Sequence, residues 1–184
     1  MSDNFKIGII GKGFVGGAVS NGFNKNVEQI IVDPVHSDTT LEQLIEQGPT
    51  LTFICVPTPP NEDGSINVDI VTDVLIELSM RDYKGVVVVK STIIPDYLQQ
   101  FKKEFDLKIV YNPEFLTEAN AHADFINPNM QVLGGKWKDC EVVEKAYLRH
   151  SSVKVVPTFK TDLTTASLLK YTINSYLATK VMFM

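Results

Sequence analysis

The stretch that most constrains this chain is Lys6 to Gly16, KIGIIGKGFVG. A short apolar run, Lys6-Ile7-Gly8-Ile9-Ile10, feeds directly into Gly11-x-Gly13-x-x-Gly16. That order predicts a buried strand, a tight turn and the first turn of a helix. Gly11 permits the sharp turn, Gly13 lets backbone N–H groups approach a pyrophosphate, and Gly16 lets helix and strand pack closely. The helix N-terminus adds unpaired N–H groups and a positive dipole end. A second apolar run, Gln29-Ile30-Ile31-Val32, ends in Asp33, 22 positions after Gly11. A carboxylate at that distance suits the adenosine ribose hydroxyls of a dinucleotide. The same carboxylate would repel a 2′-phosphate, and Pro34-Val35-His36 supplies no arginine to offset it. NAD is therefore expected over NADP.

With 184 residues, the chain is long enough for one domain plus an appendage. Its net charge of −5, without a basic block, argues against nucleic acid as a main partner. Two cysteines, Cys55 and Cys140, cannot make a disulfide framework and suit a reducing compartment. The N-terminus runs straight into the first strand without a signal-like segment, and no apolar run approaches a membrane span. The cytoplasm is the expected location. No metal site is assigned.

Apolar strand-like runs alternate with helical periods throughout, which predicts an α/β fold. Specifically, we expect a doubly wound, mostly parallel Rossmann-type sheet with an abbreviated first half, followed by a long C-terminal helix. Only the short helix Leu41 to Gln47 fits between Asp33 and the next strand, Thr50 to Val56. Pro57-Thr58-Pro59-Pro60 is a rigid loop at that strand's end. Further strands are expected at Gly85 to Lys90, Leu107 to Tyr111, Met130 to Leu133 and Val153 to Val156. Helices are expected at Val68 to Met80, Pro95 to Phe105, Leu116 to Phe125 and Asp139 to His150. From Thr161 one helix runs to Met184, capped by Thr161 or Asp162 and lacking a stop signal, so the end reads as a truncation. Residues 1–158 are assigned to a nucleotide-binding domain and 159–184 to the start of a linking, dimer-forming helix. Its apolar positions, from Leu163 to Met184, cover more than one stripe, which predicts a homodimer.

Polar groups collect at strand ends: Thr58, Lys90-Ser91-Thr92 and Asn112 to Glu118. If Glu114 to Glu118 is helical, both carboxylates share a face, which can turn one into a general base. A solvated helix start is the plainer alternative. Lys170 and Asn174, also four apart, lie among apolar residues of the last helix.

GKGFVG, FICVPTP, KSTI, NPEFLTEANAHADFINP and KYTINSYLATKV stand in an order that resembles the UDP-glucose/GDP-mannose dehydrogenase family. The resemblance implies NAD-dependent oxidation of the C6 alcohol of UDP-glucose, or a related sugar nucleotide, to the carboxylate. It implies that Gly11, Lys12, Gly13, Phe14, Val15, Gly16, Asp33, Val56, Pro57, Thr58, Pro59, Ser91, Thr92 and Glu118 line the NAD site. Glu114 resembles the family's acid/base, Lys170 its oxyanion-stabilising cation, and Thr92 its water-ordering threonine. Asn174 would help hold the sugar nucleotide, alongside Glu114, Phe115, Leu116, Thr117, Glu118 and Lys170. The segment from Asp33 to Thr50 is shorter than the family pattern, and Thr117 replaces a common arginine. Neither cysteine sits in the family's glycine-rich nucleophile motif, which belongs to a later domain. A non-catalytic NAD-binding, dimerising module and a 3-hydroxyacid dehydrogenase-like enzyme are the alternatives.

Overall fold

The computed structural model describes residues 5–23 and 26–184. Seven strands form one sheet: β1 (Lys6–Ile10), β2 (Glu28–Val32), β3 (Leu51–Ile54), β4 (Val86–Val89), β5 (Lys108–Tyr111), β6 (Gln131–Gly135) and β7 (Thr158–Thr161). Their spatial order is β2-β1-β3-β4-β5-β6-β7. All pairs are parallel except β5 with β6. The helices are α1 (Phe14–Gly22), α2 (Leu41–Gln47), α3 (Asp69–Met80), α4 (Pro95–Glu104), α5 (Ala121–Ile126), α6 (Trp137–His150) and α7 (Leu163–Phe183).

Both faces of the sheet are covered, and the strands show why. In β3, β4 and β5 the residues Leu51, Phe53, Val86, Val88 and Val110 pack on one side with Val19, Phe125, Val143 and Tyr147 of α1, α5 and α6. Their neighbours Ile54, Val87, Val89, Ile109 and Tyr111 pack on the other with Leu44, Leu75, Leu98 and Leu163 of α2, α3, α4 and α7. A strand buried on both faces has no polar side, so it reads as a continuous apolar run such as Val86–Val89. Each such side chain taken from water contributes about 1.5–3 kcal/mol.

The chain turns one way from β1 to β2 and the other way from β1 to β3, leaving a crevice above the carboxyl ends of β1 and β3. Between β2 and β3 there is only α2, held by a capping box at Thr40 and closed by Gly48 in the left-handed region, so the first half is abbreviated as expected.

Two expectations fail. Val153 to Val156 is not a strand: Val155 is exposed, and the backbone is held as a connector, with Lys154 N donating to Ile126 O. The ladder partner of β6 is instead Thr158–Thr161, in register Gln131 with Thr158. Leu116 to Phe125 is not one helix. The chain stays extended through Thr117, makes a 3-10 turn at Glu118–Asn120 and only then enters α5.

Candidate active site

The site begins at the glycine turn. Gly11 has φ 85°, a left-handed conformation, and a Cβ there would lie 2.9 Å from the carbonyl oxygen of Cys55. At Gly16 a Cβ would lie 1.9 Å from the Gly11 carbonyl oxygen, so only glycine lets α1 start so close to β1. Gly13, the N-cap of α1, differs: a Cβ there would meet nothing within 4 Å. It borders open space at the helix N-terminus, where no acidic side chain occupies the first turn. That is the cradle a pyrophosphate requires.

Asp33 stands beside this turn. Its Oδ2 accepts from Lys12 N at 2.6 Å, and its Oδ1 accepts from Val35 N at 2.9 Å and His36 N at 3.0 Å. His36 Nδ1 lies 2.8 Å from the same Oδ1. These contacts, the Lys12 N–H foremost, hold the carboxyl well below the usual carboxylate range. One lone pair of Oδ2 remains for a ribose hydroxyl.

A cavity of about 460 Å³ opens above these groups. Of the expected cofactor residues, Gly11, Gly13, Phe14, Val15, Asp33, Val56, Pro57, Thr58, Ser91 and Thr92 line it. Two hydrogen bonds tie its loops together: Ser91 Oγ donates to Val56 O at 2.6 Å, and Thr58 Oγ1 donates to Thr92 O at 3.0 Å. Gly16 is buried behind the turn, while Lys12 reaches the site through its backbone N–H. Pro59 and Glu118 are exposed and lie outside the lining of this cavity.

A second cavity, also about 460 Å³, lies on the far side of Glu114. Glu114, Phe115, Leu116 and Thr117 line it, with Met130, Gln131, Ile173 and Leu177. Lys90 and Glu114 line both cavities, so these two side chains stand between the two spaces. Glu114 is fixed from two sides. Its Oε2 accepts from Leu116 N at 2.7 Å, and its Oε1 accepts from Lys170 Nζ at 2.9 Å. Lys170 also donates to the Glu114 backbone oxygen and sits over the Phe115 ring. The ion pair is nearly dry, with side-chain exposures of 4% and 11%. In so dry a setting each charge depends on the other.

The loop geometry separates Glu114 from Glu118. Because the segment is extended, the two carboxylates share no helix face, and Glu118 lines neither cavity. Asn174 is one turn beyond Lys170 but is exposed and lines neither cavity. Both cysteines are buried, and burial pushes Cys55 up to about 12 and Cys140 up to about 11. Lys90 and Asn112, expected only as polar groups at strand ends, lie beside Glu114, and Cys55 and His36, given no site role by the sequence, line the cofactor cavity.

With this geometry in hand, comparison with known proteins is decisive. Residues 34–151 match the family model described as the UDP-glucose/GDP-mannose dehydrogenase family, NAD binding domain. The chain belongs to that family. NAD is accordingly the cofactor of this domain, and the Gly13 cradle and Asp33 fit it. The chain is 38% identical to the UDP-glucose 6-dehydrogenase of Rickettsia felis over 71% of its own length and 31% of the relative's. It is 30% identical to that of Haloferax volcanii over 87% of its own length and 41% of the relative's. Thus the chain spans a third to two-fifths of these relatives. In fold it is similar to a UDP-glucose dehydrogenase from Pyrobaculum islandicum, with a TM-score of 0.81 at 24% identity, covering 99% of this chain and 52% of that one. A GDP-mannose dehydrogenase from Pseudomonas aeruginosa gives 0.74 at 24% identity, covering 96% and 51%.

Proposed function

We propose that this chain supplies the NAD site and part of the reaction centre of a nucleotide-sugar dehydrogenase that oxidises the C6 alcohol of UDP-glucose or a related sugar nucleotide. The observation that carries this reading is the position of Glu114 between two cavities, where it is itself paired with Lys170. One cavity has the glycine cradle and the ribose carboxylate. The other is large enough for a sugar and is walled by Phe115, Leu116 and Ile173.

Bound NAD would supply the hydride acceptor. The remaining work falls to the chain's own residues. Glu114, between the cavities, takes the proton of the C6 hydroxyl, directly or through a water ordered by Thr92. Lys170, hydrogen-bonded to Glu114 and lining neither cavity, would lend its positive charge to the developing oxyanion from behind that carboxylate. Alcohol minus hydride and proton gives the aldehyde. Oxidation onward to the acid requires a nucleophile, and the raised thiols of Cys55 and Cys140 are unsuited to it. Asn174 and Glu118, both exposed, would join the site only through contact with a further segment or a second copy.

We also read the chain as homodimeric, on the apolar residues that α7 exposes. Among the described residues no helix is long and apolar enough to cross a membrane.

The reading is tested by NADH production from UDP-glucose, GDP-mannose and UDP-N-acetylmannosamine in the full-length protein. Turnover of at least one supports it, and NAD binding with no turnover of any sugar nucleotide favours a non-catalytic module. The 184-residue chain alone should make no UDP-glucuronate.

A further inference from the structure

Lys90 is buried at 4% exposure, yet no carboxylate lies within ion-pair distance of it among the described residues. Its Nζ donates instead to two oxygens of one residue, Asn112 Oδ1 at 3.1 Å and Asn112 O at 3.3 Å. Asn112 is itself anchored on every side. Its Nδ2 donates to Val132 O at 2.9 Å and Gln131 Oε1 at 3.3 Å, and its Oδ1 also accepts from Tyr147 OH at 2.8 Å. Two residues further on comes Glu114, across the stiff Pro113. So a buried ammonium just past β4 grips the backbone from which Glu114 departs, and it lines both cavities.

A buried charge held only by neutral oxygens is costly, and in a core it would be replaced by an apolar residue at little loss. We propose that Lys90 is a positioning residue for Glu114, fixing the Asn112-Pro113-Glu114 segment and keeping a positive charge between the two cavities. This inference rests on the reading of Glu114 as the acid/base.

The groups facing Lys90 define its protonation. Burial lowers it to about 8, opposed by the Glu114 carboxylate and assisted by Lys170 of α7. Cys55 is a neutral thiol over this range, and burial raises the Tyr147 hydroxyl of α6 beyond it. Phe125 of α5 presents its ring at 5.6 Å. Lys90 should therefore lose its charge in mildly alkaline solution, near pH 8.

The test is the pH profile of kcat/KM in the full-length protein carrying Lys90→Met, alongside Glu114→Gln. The wild type should lose activity as pH rises through about 8. Lys90→Met should lower kcat on the order of 10²-fold, leave the affinity for NADH near wild type, and lack the alkaline fall. A variant that keeps wild-type kcat, or that keeps the alkaline fall, overturns the proposal. If Lys90→Met does not fold, lysine-selective carbon NMR of the wild type decides. The buried lysine must titrate together with the kinetic alkaline limb, and a limb without a matching lysine overturns the proposal. Glu114→Gln separates the two ideas. If it turns over normally, the acid/base reading fails. If it is inactive while Lys90→Met behaves as wild type, only the role of Lys90 fails.

Discussion

Asp33 makes the sharpest claim at the scale of single residues. Its carboxylate is held by Lys12 N–H, Val35 N–H and His36, and it faces the cofactor cavity. Asp33→Asn should weaken NADH about tenfold or more and erase the preference over NADPH, because one charge-assisted hydrogen bond and the repulsion of a 2′-phosphate are both lost. Calorimetry with the two cofactors checks this, and equal wild-type affinities would contradict it. The carboxyl is depressed in the folded state, so its contribution to stability is present above its unfolded value of about 4 and is lost as pH falls through the lower folded value. The stability gap between wild type and Asp33→Asn should therefore be constant from neutrality to about pH 4 and narrow only below it. The glycines make a paired prediction. Gly16→Ala drives a Cβ to 1.9 Å from Gly11 O and should destabilise by about 1–3 kcal/mol or more. Gly13→Ala enters open space, so melting should change little while NADH affinity falls.

Among the elements, α7 shows how local chemistry sets a boundary. Asp162 caps it, accepting from Thr165 N at 2.9 Å and Thr165 Oγ1 at 2.7 Å. Asp162→Ala should cost about 1 kcal/mol in chemical denaturation, and an unchanged midpoint would mean the cap is not held in solution. Most elements were legible because their residues report burial directly: Val86–Val89 is apolar throughout, and Thr40 and Gly48 bracket α2. The failures have physical causes. Thr158–Thr161 is an edge strand with Phe159 half exposed, so it carries no apolar run, whereas Val153 to Val156 is β-branched but has no ladder to join. In Leu116 to Phe125, Leu116 N donates to Glu114 Oε2 and Thr117 N to Asp124 Oδ2, and these side-chain bonds hold the start of the segment in a non-helical path. For that reason the Glu114–Lys170 pair was visible in sequence only as separate motifs, and the role of Asn112 not at all. Joining them requires the sheet order.

For the whole molecule, the first turns of α7 are buried against the sheet through Leu163, Ala166 and Lys170, and the later turns are not. Tyr176, Leu177, Val181, Met182 and Phe183 are all more than half exposed. A second copy is the economical cover for such a stripe. Light scattering at tens of micromolar should give a dimer, and Leu177→Glu with Val181→Glu should return it to a monomer. A wild-type monomer at that concentration would contradict the homodimer.

Glu114 stands between two cavities, and the proposed reaction has it take the proton while the cofactor side receives the hydride. Glu114→Gln in the full-length protein tests it most directly, with NADH affinity and sugar-nucleotide oxidation measured on the same preparation. NADH binding should stay close to wild type and turnover should fall on the order of 10²–10⁴-fold. Undiminished turnover of the sugar nucleotide by Glu114→Gln would contradict it.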